Sequence, residues 1–359
     1  MSDNTTPVDE KLEKVAQALS FEKFMAEHGK GLTKEQFTNI ANVIPGTRAT
    51  FPGFAAGFAQ QPLIGTLLAP EIVAAPDGTE IASFPTFNKE RFYSSENTVV
   101  AINSGRKTAD SAVSWTTATL EANAIDVPVD IRMARAYAAS NIDASIEAIE
   151  LGRSQIELGK EKAIATLLRT QGNYDATGTN SFVSCSSTAS WGNASATPIE
   201  TILAAKETVR SKCGMYPNVF WLSPLALRYL SVNAEIKDVM KYGGTPSSPG
   251  LPATTVGLEN LFGMSIVVGS SISNTTINGA LSDVWGTDAG LLVVGNNNLH
   301  TPKFAATFVA AGSPKVMPAY LDRRFGAEGS MVYSYVDYYK AFITMNTAGY
   351  LFTTAGTTT

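Results

Sequence analysis

The segment from Ser140 to about Thr170 limits the possible folds of this chain more than any other. Its apolar residues recur with a period of 3.6, which predicts one unusually long helix with a buried face. They are Ile142, Ile146, Ile149, Ile156, Ala163, Ile164 and Leu167. Ser140 or Asn141 can cap the start, with Asp143 in the first turn. At 1.5 Å per residue the helix would be roughly 45 Å long, which suggests a mechanical role.

Low charge is the second unusual feature. Charged residues make up 16% of the 359 residues, against about 25% in typical soluble proteins, which suggests that partners cover much of the surface. The alternative is an ordinary globular protein rich in alanine and threonine. The 27 basic and 32 acidic residues form no long run of either sign, which argues against a dedicated nucleic-acid binder.

An uncharged stretch runs from Ala49 to Pro70. Pro52, Pro62 and the pair Gln60–Gln61 make it a poor membrane helix, so we predict no membrane segment. We interpret the stretch as an extended arm buried against another protein. Its aromatic anchors would be Phe51, Phe54 and Phe58.

Residues from Phe84 to about Ile131 are predicted to be extended. Asn103-Ser104-Gly105 is a turn, and strict alternation from Ile125 to Ile131 indicates a strand with one buried face. A long two-stranded ribbon with little apolar content is not stable alone, so it needs a surface that a monomer does not obviously provide. The polar tip carries Lys89, Arg91, Arg106 and Lys107.

Motifs for catalysis or metal binding are missing from the sequence. His28 and His300 adjoin no motif serine or cysteine, and Cys185 and Cys213 form no metal or redox motif. No Walker, dinucleotide-binding, zinc-protease or nucleophile-elbow pattern occurs. We therefore predict no enzyme activity, metal or cofactor, with an unrecognised carboxylate-only active site as the alternative.

Several charged residues are interpreted as solvated rather than functional. The acidic pairs in this class are Asp283 with Asp288 and Glu157 with Glu161. The densest basic spot is Arg323-Arg324 beside Asp322. It is either a solvated loop or a partner for acidic groups on a neighbouring subunit, because arginine makes forked hydrogen bonds.

The segment from Trp191 to Tyr242 carries a family resemblance. Its parts are a tryptophan loop, Pro198-Ile199-Glu200, Gly214-Met215-Tyr216-Pro217-Asn218, the strand Val219–Leu222, and Ser223-Pro224 with Leu227 and Leu230. Leu261-Phe262-Gly263 before Val267-Val268 adds a later strand. With the order of elements from about Leu32 to Leu351, this resembles the major capsid protein of tailed bacteriophages, whose shell fold is shared with encapsulins and the herpesvirus capsid floor.

The resemblance implies an α+β fold of the phage major-capsid type. An N-terminal arm would span 1–83, an extended β-hairpin loop over a neighbour 84–125, and a spine helix 140–170. The peripheral domain would comprise 126–195 with 317–359, and the axial domain would comprise 196–316.

The resemblance also implies a structural protein of the virion. Hexamers and pentamers would assemble in the host cytoplasm, through a procapsid, into an icosahedral shell enclosing double-stranded DNA without sequence-specific binding. The region before Leu32 is too short for a built-in scaffold, which implies a separate scaffolding protein besides a portal and decoration proteins. The alternatives are an encapsulin-like compartment holding cargo and a soluble enzyme with an atypical site.

Candidate contact residues follow from the same resemblance. Lys89, Arg106 and Lys107 would contact a neighbour from the ribbon, and Arg323 and Arg324 would form ion pairs between subunits. Some relatives join subunits by a lysine–asparagine bond in this loop. Because nothing singles out an asparagine partner or a catalytic glutamate, we expect no covalent joining.

Overall fold

A computed structural model of the chain describes ten stretches of it. They are 62–75, 80–86, 99–100, 102, 104–106, 114–139, 143–242, 255–274, 279–298 and 301–356. The chain divides into two compact units. Of the described residues, the first unit holds 128–139, 143–148 and 319–333, and the second unit holds the others. Both helices and sheets are present, so the predicted α+β class is confirmed.

The helices and strands have the following bounds. The α-helices are α1 Gly65–Leu68, α2 Ile131–Ala139, α3 Ala144–Arg169, α4 Pro198–Cys213, α5 Pro224–Val232, α6 Ala234–Tyr242 and α7 Thr255–Phe262. The first strands are β1 Glu71–Ala75, β2 Ile81–Thr86, β3 Ser114–Thr119, β4 Glu121–Asp130, β5 Phe182–Ser184, β6 Val219–Leu222, β7 Ser265–Val268 and β8 Ile272–Ser273. The others are β9 Ser282–Asp283, β10 Ala289–Leu292, β11 Ala305–Ala310, β12 Lys315–Val316, β13 Tyr320–Asp322, β14 Ser330–Ile343 and β15 Gly349–Thr353.

The predicted long helix is present as α3, which has 26 residues and is about 39 Å long. Asp143 accepts a hydrogen bond from the backbone N–H of Ser145 at 2.9 Å and so covers one of the free amides at the start. A Cβ at Gly152 would lie 3.2 Å from Ile125 and 3.4 Å from Tyr335. The absent side chain therefore lets the helix backbone lie close to β4 and β14.

The first sheet has six strands, and β14 pairs with four of them, namely β4, β11, β12 and β13. The sixth strand, β1, runs parallel to β11. An apolar cluster on this sheet includes Ile72, Phe84, Leu120 and Phe308. The rings of Phe84 and Phe308 are 4.7 Å apart, so residues from the base of the predicted ribbon belong to the core of the second unit.

The second sheet has five strands in the order β5-β15-β10-β6-β7. Helices α4 and α5 flank β6 in sequence. Pro198 occupies the first turn of α4, and Gly214 ends it with a φ of 79°. The core of this region is aromatic, with Trp191, Phe220 and Phe352 fully buried. Burial of such large rings is the main stabilising contribution here.

The last strand, β15, holds Leu351 and Phe352 fully buried between β10 and β5. One local prediction is wrong. The end of the stretch expected as an arm forms α1, and its Ile64 and Leu68 lie in the chain's own apolar core. Both segments are short, and their burial is decided by partners distant in the sequence. Within the described residues, no helix is both long and apolar enough to cross a bilayer.

Candidate assembly surfaces

The base of the predicted ribbon is an antiparallel pair of strands, β2 and β3. Ile81 lies opposite Thr119, Ser83 opposite Thr117, and Phe84 opposite Thr116. Residues on the Phe84 face include the buried Ala118. The expectation that this chain offers the ribbon no surface is therefore wrong at its base, where Phe84 and Ala118 pack on the first sheet.

The opposite face of this strand pair is open to solvent. Trp115 is 69% exposed and Ile81 is 62% exposed. Between β2 and β3 in sequence, Val99, Val100 and Ile102 are also exposed. A tryptophan is mostly buried in soluble proteins, so an exposed one on a strand face marks a candidate interaction site. This outward face, which we call the ribbon face, consists of Ile81, Ser83, Trp115, Thr117 and Thr119.

A second candidate surface lies on the hairpin that joins β13 to β14 in the first unit. Tyr320 lies opposite Val332 and Asp322 opposite Ser330. Tyr320, Leu321 and Phe325 are each about half exposed. We call this the hairpin surface. It combines apolar side chains with the arginine pair that the sequence singles out.

Arg323 and Arg324 both lie exposed in the turn of this hairpin. The guanidinium of Arg324 forks onto Asp322 of the same chain, with Nε 3.1 Å from Oδ1 and Nη2 2.7 Å from Oδ2. These hydrogen bonds hold the pKa of Asp322 below its ordinary value. The donor fork of Arg324 is thus engaged locally, which leaves Arg323 as the better placed of the two for a neighbour.

The other predicted contact residues are only partly placed. Arg106 is exposed. The remaining predicted residues lie outside the described part of the chain; they are Lys89, Lys107, Phe51, Phe54 and Phe58.

Sequence reasoning missed two buried charges on α3, which are Lys160 and Glu161. Lys160 is 8% exposed, and its Nζ lies 2.7 Å from Glu71 and 2.8 Å from Asp337. Burial alone would lower the pKa of Lys160, but the hydrogen bonds to Asp337 and Glu71 outweigh it and raise the pKa above its ordinary value. The amine is therefore charged at neutral pH and joins three elements, α3, β1 and β14.

Glu161 and Asp288 are also buried, so interpreting them as solvated was wrong. Glu161 is 2% exposed and accepts hydrogen bonds from two backbone amides, a hydroxyl and an indole. Asp288 is 7% exposed and pairs with Arg169 at 2.7 Å. Their donors lie far away in sequence, so no local pattern could reveal the burial.

The described residues provide little for catalysis. Among them no group of three or more histidine, cysteine or acidic side chains could hold a metal. A groove of about 500 Å³ is lined by Leu203, Lys206, Glu207, Tyr216, Pro217 and Gly263. Lys206 donates to the carbonyl of Phe262 at 2.8 Å, and Glu207 is paired with Arg210. Both charged groups are thus engaged within the chain.

Known proteins that resemble this chain include a phage capsid protein and a phage-related protein. No protein-family model matches the chain. Over 271 residues, the chain is 25% identical to the major capsid protein of Burkholderia phage BcepMu, covering 73% of this chain and 83% of that protein. A phage-related protein from Bordetella bronchiseptica superposes with a TM-score of 0.64 at 24% identity, over 85% of this chain and 96% of that one.

Two assembled particles are also similar. The capsid of cyanophage P-SCSP1u gives a TM-score of 0.53 at 11% identity, over 85% of this chain and 91% of that one. The chain has the fold of phage major capsid proteins. The holo-SrpI encapsulin complex of Synechococcus elongatus gives 0.51 at 14% identity, over 90% and 96% of the two chains. The major-capsid fold of this chain therefore has both phage and encapsulin neighbours.

Proposed function

We propose that this chain is the major capsid protein of a tailed phage and that its copies form an icosahedral shell around double-stranded DNA. The observation that carries the proposal is the similarity to a phage major capsid protein along 73% of the chain. The ribbon face supports it, because Trp115 and Ile81 are exposed in one copy and could be covered by another. The capsid relative implies a structural rather than an enzymatic role.

The assembly pathway is part of this proposal. Copies form hexamers and pentamers in the host cytoplasm, pass through a procapsid, and enclose DNA without reading its sequence. A scaffolding protein, a portal and decoration proteins take part. Each contact between copies can be weak, because a closed shell repeats it many times.

The contact residues are proposed as follows. Lys89, Arg106 and Lys107 meet a neighbour from the ribbon, while Phe51, Phe54 and Phe58 anchor the N-terminal arm. Arg323 forms an ion pair with an acidic group of a neighbour. Arg324 does so only if it shares its donors with Asp322, to which it is already bound.

A second candidate function is a compartment that encloses a cargo protein. The similarity to the encapsulin complex over 90% of this chain favours it, although the identity of 14% speaks for the fold alone. The two functions differ in what the shell contains.

Electron microscopy of particles made by the expressed chain tests both candidates. With phage scaffolding and packaging proteins present, we expect heads filled with nuclease-protected DNA. Closed shells that hold a co-purifying protein and never take up DNA would favour the compartment. A chain that forms no particle in either setting would contradict both.

A further inference from the structure

Two neighbouring residues of α3 hold the two ends of one short segment. Glu161 binds the backbone amides of Ile64 and Gly65, and Lys160 binds the carboxylate of Glu71. The segment from Ile64 to Glu71 contains α1 and the start of β1. A single turn of α3 therefore fixes eight residues at both ends.

At the first end, the Glu161 carboxylate accepts four hydrogen bonds from the described residues, all from neutral donors. Oε2 accepts from the N–H of Gly65 at 2.6 Å. Oε1 accepts from Ile64 at 3.2 Å, from the indole of Trp285 at 2.7 Å and from the Ser271 hydroxyl at 3.3 Å. A buried carboxylate is tolerated only when its oxygens are well satisfied, so the position of residues 64 and 65 is tightly specified.

Gly65 shows how close this contact is. A Cβ at this position would lie 2.6 Å from Oε2 of Glu161 and 3.0 Å from Ile164. Both atoms belong to side chains of α3, and the Glu161 carboxylate is held in place by its other donors. Any larger residue at position 65 must therefore push the segment away from α3.

At the second end, Lys160 binds Glu71 while a second carboxylate holds the amine in place. Asp337 on β14 lies 2.8 Å from Nζ, and the ring of Tyr339 lies 4.7 Å from it. Asp337 is itself bound by the Ser313 hydroxyl at 2.6 Å. The amine therefore stays in position even if Glu71 leaves, and Glu71, whose side chain is 40% exposed, can leave without creating a buried unpaired charge.

The segment connects the N-terminal arm and the ribbon. In the proposed function, both of these parts contact neighbouring copies. The N-terminal arm precedes Ile64, and β2 of the ribbon follows β1 after residues 76–80. We propose that Lys160 and Glu161 act as a two-point clamp that fixes the root of both the arm and the ribbon on the spine helix, and that shell assembly requires the clamp to be closed. The second part of this inference rests on the proposed function; the first part does not.

Hydrogen–deuterium exchange of the full-length, unassembled chain tests the clamp itself. Glu161→Gln places an amide among four donors, and Glu71→Ala removes the acceptor at the other end. We expect amide exchange in residues 62–75 to be at least tenfold faster in both variants than in the wild type. The matched control is Glu157→Gln, which lies one turn earlier on α3 and loses only an exposed pair with Arg153.

Clamp variants that exchange at the wild-type rate in residues 62–75 would overturn the inference. If Glu161→Gln unfolds the whole chain, Glu71→Ala and Gly65→Ala decide. Glu71→Ala leaves Lys160 paired with Asp337, and Gly65→Ala leaves the Glu161 carboxylate its bonds from Trp285 and Ser271. Faster exchange throughout the chain in these two variants would show a general loss of stability and would also contradict a local clamp.

Particle yield then tests the link to assembly. Under conditions in which the wild type forms shells, we expect Glu71→Ala and Gly65→Ala to lower the yield several-fold and Glu157→Gln to leave it unchanged. Normal yield in variants with an opened segment would refute the coupling. If the wild type itself forms no shells, the proposed function fails, whereas the exchange measurement still decides on the clamp.

Discussion

At the scale of single residues, buried and partly buried charges connect parts of the chain that are far apart in sequence. Lys212 binds Asp175 at 2.8 Å, Arg169 binds Asp288, and Lys160 binds Asp337. Such pairs contribute little net stability compared with apolar residues of the same shape, but breaking one side is costly. Their main effect is to fix which segments meet.

Asp175 gives a pH-dependent prediction. Burial alone would raise its pKa, but hydrogen bonds from Lys212 and from the backbone of Thr177 lower the pKa to about 2. Since the folded pKa lies below the unfolded value of about 3.9, the pair stabilises the fold above pH ~4 and loses this contribution as the pH falls toward ~2. After allowance for solvent, the contribution is roughly 1–2 kcal/mol.

Urea unfolding of unassembled wild type and Asp175→Asn measures this contribution. We expect the variant to be less stable at pH 6, with the difference shrinking steadily between pH 4 and pH 2. A difference that stays constant over this range would show that the ionised pair is not its cause.

At the scale of elements, the stability of α3 depends on how closely its backbone packs against the first sheet. A Cβ at Gly152 would be crowded by Ile125 and Tyr335, whereas one at Gly159 would meet only the Tyr339 hydroxyl at 3.6 Å. Alanine gains up to about 1 kcal/mol over glycine within a helix, and crowding offsets this gain at Gly152.

We therefore expect Gly159→Ala to be more stable than Gly152→Ala by about 1 kcal/mol. Thermal unfolding of the two variants, each compared with the wild type, gives the difference. Equal stabilities would mean that α3 does not contact β4 and β14 as closely as described.

The ribbon face is the other element with a testable role. Trp115 is 69% exposed in one copy, so Trp115→Ser removes little from the monomer but a large apolar contact from an interface. We expect the shell yield to fall at least tenfold while the unfolding midpoint of the monomer changes little. Thr117→Ser on the same face and strand is the matched control, and an equal yield from both variants would exclude Trp115 as a contact between copies.

At the scale of the whole molecule, the sequence was sufficient where a pattern is long or has sharp ends. The apolar period places α3, of whose predicted buried face Ile156 and Ile164 are buried but Ile146 is 57% exposed. Pro198 with Gly214 bounds α4. It was insufficient where the outcome depends on distant partners. The burial of Glu161 depends on residues 96 to 124 positions away, and β15 is recognisable only once β10 and β5 flank it.

For the candidate surfaces, too, the sequence predicts some features and leaves others to the fold. The extended ribbon was predicted from composition, but the sequence does not tell which face of its base packs on the chain's own core. The register of β2 and β3 decides this, because it turns Phe84 inward and leaves Trp115 outside. The arginine pair was found from its charge density, whereas the local bond between Arg324 and Asp322 needed coordinates.

In the proposed shell, copies of this chain cover one another's exposed surfaces. Sedimentation velocity of the purified full-length protein over a range of concentrations detects such assembly. We expect a cooperative change from the 38.1 kDa chain, or from small rings, to particles of at least several megadaltons with few intermediates. A single species at the monomer mass at every concentration, with and without a scaffolding protein, would contradict it.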